Sequence, residues 1–342
     1  MTHADAGLAL LDMVRGILEL EPERVTERER GLEWWPHTHV MRFTATPPRP
    51  DGAVVVAVET PLLGGLAPSA GLFGKLAFRN ARDPGLSALR WDSTTGEVSL
   101  RAAVIARPGG PDLPVAQRLS HAAMLQVGDA VRTADSLAVE FPEARLLTTA
   151  PPQPGLEAVP QVEAWQAYAE QGAALATDLA AQVAAAANLS PAPWLRVTRA
   201  PHGIDAEIAC APDHERTGPG QGVALLRVSA AQSHPRLGPG LVMVLVPPPD
   251  TEPKPERAPA TAVLLNEAEA REWTGVDALG GWCVHPSAGL SHVTFMPAIV
   301  LHEDTLGVLA WQAGIRARWA VGLCARVEAM RASRGGATPA GD

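Results

Sequence analysis

A serine held in a Gly-x-Ser-x-Gly turn between a strand and a helix can act as a nucleophile, because the sharp turn exposes its hydroxyl. Two stretches approach this pattern, Ala67-Pro-Ser69-Ala-Gly71 and His285-Pro-Ser287-Ala-Gly289. Both lack the first glycine. The second falls in a hairpin turn, where Pro, Ser and Gly are expected for their backbone angles. Neither serine is assigned a catalytic role, and a serine hydrolase is kept as the alternative function.

His37 and His39 would set two imidazoles on one face of a strand. Zinc would still need a third and a fourth ligand. His202, His214, His234, His285, His292 and His302 are scattered, with no His-Glu-x-x-His spacing. No metal or other cofactor is expected. Gly218-Pro-Gly-Gln-Gly222 is glycine-rich, but a β-rich segment follows where a phosphate loop needs a helix, so a hairpin loop is the reading. Glu21, Glu23, Glu27 and Glu29 alternate with arginines as in a solvated, salt-bridged face. No carboxylate pair stands out for acid–base work. Glu303 and Asp304 most simply place negative charge at a helix N-terminus. Cys210, Cys283 and Cys324 lie far apart, odd in number and without a Cys-x-x-Cys pair, which excludes a disulfide framework.

Tryptophan is the more informative residue. Nine Trp stand beside one Tyr and five Phe. Trp34, Trp35, Trp91, Trp194 and Trp282 fall on predicted strands, and Trp311 and Trp319 lie near one stripe of the last helix. Neighbours on a strand point to opposite faces, so Trp34 and Trp35 cannot both enter one core. Trp is enriched at binding hot spots. Trp34 and Trp35 are therefore the candidate protein-binding residues, with burial against the other half of the chain as the alternative.

The elements that must position these residues follow from composition and pattern. The 342 residues are 46% hydrophobic and 19% charged, with a formal net charge of -9. That is apolar material for about two domains. The acidic balance argues against nucleic acid, which is bound by Lys and Arg neutralising phosphates. No signal peptide or membrane span is expected, which leaves the cytoplasm as the setting.

Leu8, Leu11, Val14, Ile17 and Leu18 have helical spacing. Residues 32–46 read as one strand and 53–60 as a central strand. Residues 61–86 read as irregular. A hairpin over 89–91 and 98–105 precedes a long helix at 113–139. Residues 142–160 read as a Pro-rich linker. An Ala-rich helix at 161–188 opens the second half, followed by strands at 194–200, 204–211, 222–230 and 241–247. A Pro-rich loop at 247–259 is solvent-exposed. Residues 261–273 suggest a strand and a short helix. A second hairpin, at 281–285 and 290–296, leads into a last helix at 305–331.

The order repeats. Trp91 and Trp282 each precede a turn ending in glycine, Gly96 and Gly289, then an alternating strand and an Ala-rich helix. The expected architecture is α+β, with two similar domains, each an antiparallel sheet flanked by helices. The domains are 1–141 and 161–331, joined by 142–160 and followed by a tail at 332–342.

Gly96-Glu-Val-Ser-Leu-Arg-Ala-Ala-Val with the helix after it, and Gly289-Leu-Ser-His-Val-Thr-Phe-Met-Pro with its helix, carry a resemblance. The chain resembles the type III secretion chaperone-like fold shared by YbjN-type proteins, in two tandem copies. The resemblance implies an α-β-β-β-α-β-β-α order in each copy and no catalytic residues. It also implies a binding module whose partner is another protein, arranged as an intramolecular pseudo-dimer or a homodimer. The chain departs from single-domain members in its length and its proline-rich insertions. A small-ligand pocket between sheet and helices is a further alternative.

Overall fold

The computed structural model describes residues 5–109, 112–151, 194–200, 203–210, 222–230, 234, 237–272, 275–301 and 305–335. The expected helix at 161–188, residues 218–221 of the glycine-rich loop, His202, His214, His302, Glu303, Asp304 and residues 336–342 lie outside these residues, while residues 332–335 of the expected tail continue the last helix.

The fold is α+β, with a seven-stranded and a six-stranded antiparallel sheet. The first half runs α1 (Ala6–Leu18), β1 (Val25–Arg28), β2 (Gly31–Trp34), β3 (Met41–Ala45), β4 (Val54–Gly64), α2 (Ala70–Arg82), β5 (Ala88–Asp92), β6 (Glu97–Ala106), α3 (Leu113–Glu140) and β7 (Arg145–Leu146). The second half runs β8 (Leu195–Ala200), β9 (Gly203–Ala209), β10 (Val223–Ser229), β11 (Gly240–Val246), α4 (Ala258–Arg271), β12 (Gly281–His285), β13 (Gly289–Pro297) and α5 (Thr305–Gly335).

The sheets have one strand order. The first is β1-β2-β3-β4-β6-β5, with β7 beside the end of β4, and the second is β8-β9-β10-β11-β13-β12. In each half four strands precede the inserted helix, one more than the resemblance implies. The matched tryptophans are not at matched positions. Trp91 pairs with Val98 one step from its turn, whereas Trp282 pairs with His292 three steps from its turn. The residue at the position of Trp282 is Leu89. Asn80 of α2 accepts the Leu89 N–H at 2.8 Å, as Asn266 of α4 accepts the Trp282 N–H at 2.7 Å.

Three elements differ from the expectation. Residues 61–86 contain α2, capped by Ser69, whose Oγ accepts the Leu72 N–H at 3.1 Å. Gly71 and Gly74 weaken its local signal, but Leu72, Leu76, Ala77 and Asn80 bury one face. Residues 258–271 form one helix, α4, although Thr261 and Val263 are β-branched; burial of Thr261, Ala262, Val263 and Leu265 outweighs that preference. Residues 32–46 form two strands, because the chain turns through Trp35–Val40 at Pro36.

The first sheet packs α1 and α3 on one face. Leu10, Leu11 and Val14 meet Val54, Val56 and Val58, Phe43, and Leu119 of α3 in a core that continues into the second half. The halves pack reciprocally: α2 lies on β12, α4 lies on β5, and α2 meets α4. Beyond the end of β5, the second half completes the edge of β6, where Ala103 and Ala278 exchange backbone hydrogen bonds of 3.0 and 2.8 Å. Residues of the expected linker also join the first sheet, as β7 pairs with Leu63 and Gly64.

Candidate functional site

A cleft of about 420 Å³ lies between α2 and α3. Its floor is apolar, with Leu86, Leu89, Leu100 and Leu125 all buried. The polar atoms of Gln126 in the floor are used internally: Oε1 accepts Thr60 Oγ1 at 2.7 Å and Nε2 donates to Ser87 Oγ at 2.9 Å. His234 and Leu237 of the second half close one end. Charged side chains form the walls. Arg79 donates to Ser136 Oγ at 2.7 Å and to Glu140 at 2.9 Å, and Lys75 lies 3.3 Å from the same carboxylate. Burial pushes the Glu140 carboxyl up, but Arg79 and Lys75 outweigh it and hold the group below its ordinary range. Arg132 pairs with Asp129 at 3.0 Å. Phe78, 54% exposed, stands on the rim as an uncovered aromatic. An apolar floor between charged walls suits a polypeptide segment that alternates apolar and charged side chains.

The sequence-derived pair is elsewhere and is covered. Trp34 and Trp35 are 4% and 8% exposed. The alternation argument fails because the strand ends at Trp34. Trp34 enters the main core, and Trp35 leads the turn, its Nε1 donating to Thr149 Oγ1 at 3.1 Å. Neither ring offers a free surface in this conformation. The expected strand histidines lie in the same turn, also buried: His37 is 8% and His39 2% exposed.

The serines have different surroundings. Ser69 is occupied as the α2 cap. Ser287 Oγ lies 3.1 Å from His285 Nδ1, and that same nitrogen accepts the Ser287 backbone N–H at 3.4 Å. The contact closes a local exposed turn. Among the described residues no three His, Cys, Asp or Glu side chains are grouped to hold a metal ion, and no helix is long and apolar enough to cross a membrane.

A second polar cluster joins the halves. Asp277 Oδ1 accepts the Ile105 N–H at 2.9 Å, and its Oδ2 takes Gln312 Nε2 at 3.1 Å and Arg118 at 3.3 Å. Arg316 of α5 donates to the Asp277 carbonyl and, at 2.7 Å, to Glu269, whose other oxygen accepts Trp282 Nε1 at 3.1 Å. Sequence reasoning missed both cleft and cluster, since their residues come from positions far apart in the chain.

Comparison with protein-family models, curated proteins and solved structures finds no match.

Proposed function

We propose that this chain is a non-catalytic protein-binding module in which two chaperone-like units form an intramolecular pseudo-dimer. The observation that carries the reading is the shared strand order of the halves, with α2 and α4 exchanged across the other half's edge strand. Such an arrangement is what a symmetric dimer becomes when its subunits are fused. The partner is a polypeptide segment, and the cleft between α2 and α3 is where it docks, with Phe78 as an aromatic anchor. An acidic chain with three widely spaced cysteines and no Cys-x-x-Cys pair suits a cytoplasmic setting and a protein partner rather than nucleic acid.

A peptide array probed with the purified chain tests this. Wild type is expected to retain a subset of peptides alternating apolar and charged residues, and Phe78→Glu to lose at least about 10-fold in retention, the cost of truncating a hot spot, with its melting temperature unchanged. Equal retention by both proteins would remove the cleft from the reading. Turnover in a broad ester-hydrolysis panel that disappears in Ser287→Ala would replace the reading with a hydrolase.

A further inference from the structure

The turn carrying Trp35, His37 and His39 lies under a strap, residues 144–149, that leads away from the first half. β7 holds it to Leu63 and Gly64. Leu147 N–H donates to the Leu62 carbonyl and Thr149 N–H to the Thr38 carbonyl, each at 2.9 Å. Thr149 also accepts Trp35 Nε1 at 3.1 Å. The strap itself buries little: Arg145, Leu146 and Thr149 are exposed and Leu147 is half-buried. Segments held by a few peripheral backbone bonds and little apolar contact open at lower cost than the core.

The two imidazoles beneath it stand edge to face, with ring centroids 5.7 Å apart. Their hydrogen bonds fix the tautomers. His39 N–H donates to His37 Nδ1 at 3.0 Å, so the His37 proton sits on Nε2. That Nε2 is buried, with the Val127 carbonyl as the group set against it. His39 Nδ1 faces the Pro61 carbonyl at 3.1 Å, so it is the donor. A proton added to His37 must land on Nδ1, where it displaces the His39 backbone N–H. A proton added to His39 lands on Nε2. The groups set against the pair are each other's rings, the carbonyls of Val127, Pro61 and Leu147, and the Asp135 carboxylate on α3.

We propose that residues 144–149 are a latch over Trp35, released when His37 and His39 take up protons, and that the uncovered Trp35 face is then a contact for the polypeptide partner. The partner contact rests on the protein-binding reading; the latch does not.

Burial, and then the neighbouring His39, push the His37 imidazole from 6.5 down to about 4 in the closed form. His39 is lowered by burial, against which Asp135 and the Pro61 and Leu147 carbonyls act. Closed protein therefore stays unprotonated at His37 until about pH 4, while an open turn protonates near 6.5. Acidification from 6.5 towards 4 favours the open form, and closure is fully favoured above 6.5. For His37 alone the open fraction grows roughly 20-fold between pH 7 and pH 5.

Hydrogen–deuterium exchange at the Leu147 and Thr149 amides, corrected for intrinsic pH dependence, reads the latch directly. Wild type is expected to show about that 20-fold acceleration at pH 5, while the core amides of β4 stay protected. His37→Asn keeps an acceptor for the His39 N–H but does not titrate, and is expected to abolish the acceleration. Asp135→Asn, on the exposed side of α3, removes a charge that favours protonated His39 in the closed form; it is expected to leave the onset near pH 6.5 and to enlarge the acceleration at low pH, and it serves if His37→Asn fails to fold. Exchange that follows the intrinsic rate, or an acceleration in Asp135→Asn no larger than in wild type, would overturn the latch. The same peptide array at pH 7 and pH 5 tests the contact. Retention gained at pH 5 and lost in Trp35→Ala supports it. A latch that opens with no gain in retention removes Trp35 from the binding surface and leaves the cleft reading intact.

Discussion

Replacing Asp277 by alanine removes a carboxylate used by three donors from three elements: Ile105 N–H of β6, Arg118 of α3 and Gln312 of α5. The side chains of Arg118 and Asp277 are only 10% and 5% exposed, so water cannot replace the lost partner. A buried donor left unsatisfied costs about 1–3 kcal/mol. A buried ion pair broken on one side costs about 3–5 kcal/mol, mostly because the remaining charge is stranded. The terms share one network and do not add, so the expected loss is about 4 kcal/mol. With a urea slope of about 3 kcal/mol per molar, the unfolding midpoint falls by roughly 1.3 M. The double variant Arg118→Met/Asp277→Ala removes the stranded guanidinium and is expected to recover about 2 kcal/mol of the loss. Urea unfolding followed by circular dichroism measures both. A midpoint shift below about 0.3 M for Asp277→Ala, or a double variant less stable than the single, would show that the cluster does not join the halves as described.

Two other measurements follow from the same kind of argument. Glu59 lies between Ser99, Arg101 at 2.8 Å and Arg90 at 3.5 Å. Burial raises its carboxyl, but the charges of Arg101 and then Arg90 outweigh that and hold it below its ordinary value of 4.5. Its stabilisation is present above that value and fades as pH falls below it. Glu59→Gln is expected to lose about 2 kcal/mol at pH 7 and to flatten the acid limb of the stability profile; a limb unchanged from wild type would contradict the assignment. Burial pushes the Cys283 thiol up to about 12, whereas Cys210 and Cys324 are half-exposed. Native protein treated with iodoacetamide at pH 8 is expected to leave Cys283 unmodified until denaturant is added, as mass spectrometry of the digests will show.

The sequence is most informative where a pattern is local. The hairpin of β5 and β6, the alternating strands of the second half and the long helix α3 follow from period, turn glycines and length. Helix α2 is hidden because Gly71 and Gly74 depress its propensity, and the contacts that hold it lie on β12, far along the chain. Helix α4 reads partly as strand because Thr261 and Val263 mimic a β run that only burial overrules. Trp34 and Trp35 show the limit of alternation: one residue, Pro36, ends the strand and removes the premise that set their faces apart. The latch and the Asp277 cluster have no local signature. Their partners, such as Trp35 with Thr149 and Ile105 with Asp277, are separated by 114 and 172 positions.

That last separation has a consequence for synthesis. The first sheet is not closed by its own half: the N–H groups of Ala103 and Ile105 wait for the Ala278 carbonyl and the Asp277 carboxylate. At roughly 5–20 residues per second, ribosomal elongation separates the two by about 10–30 s. During that interval β6 leaves the ribosome with an open edge, and an open edge is a template for pairing with another chain. On a crowded polysome, residues 276–278 of a neighbouring nascent chain meet the same geometric requirement as the chain's own. Exchange of second halves between chains is therefore the misassembly this architecture invites, and its product is a dimer in which every native hydrogen bond is satisfied.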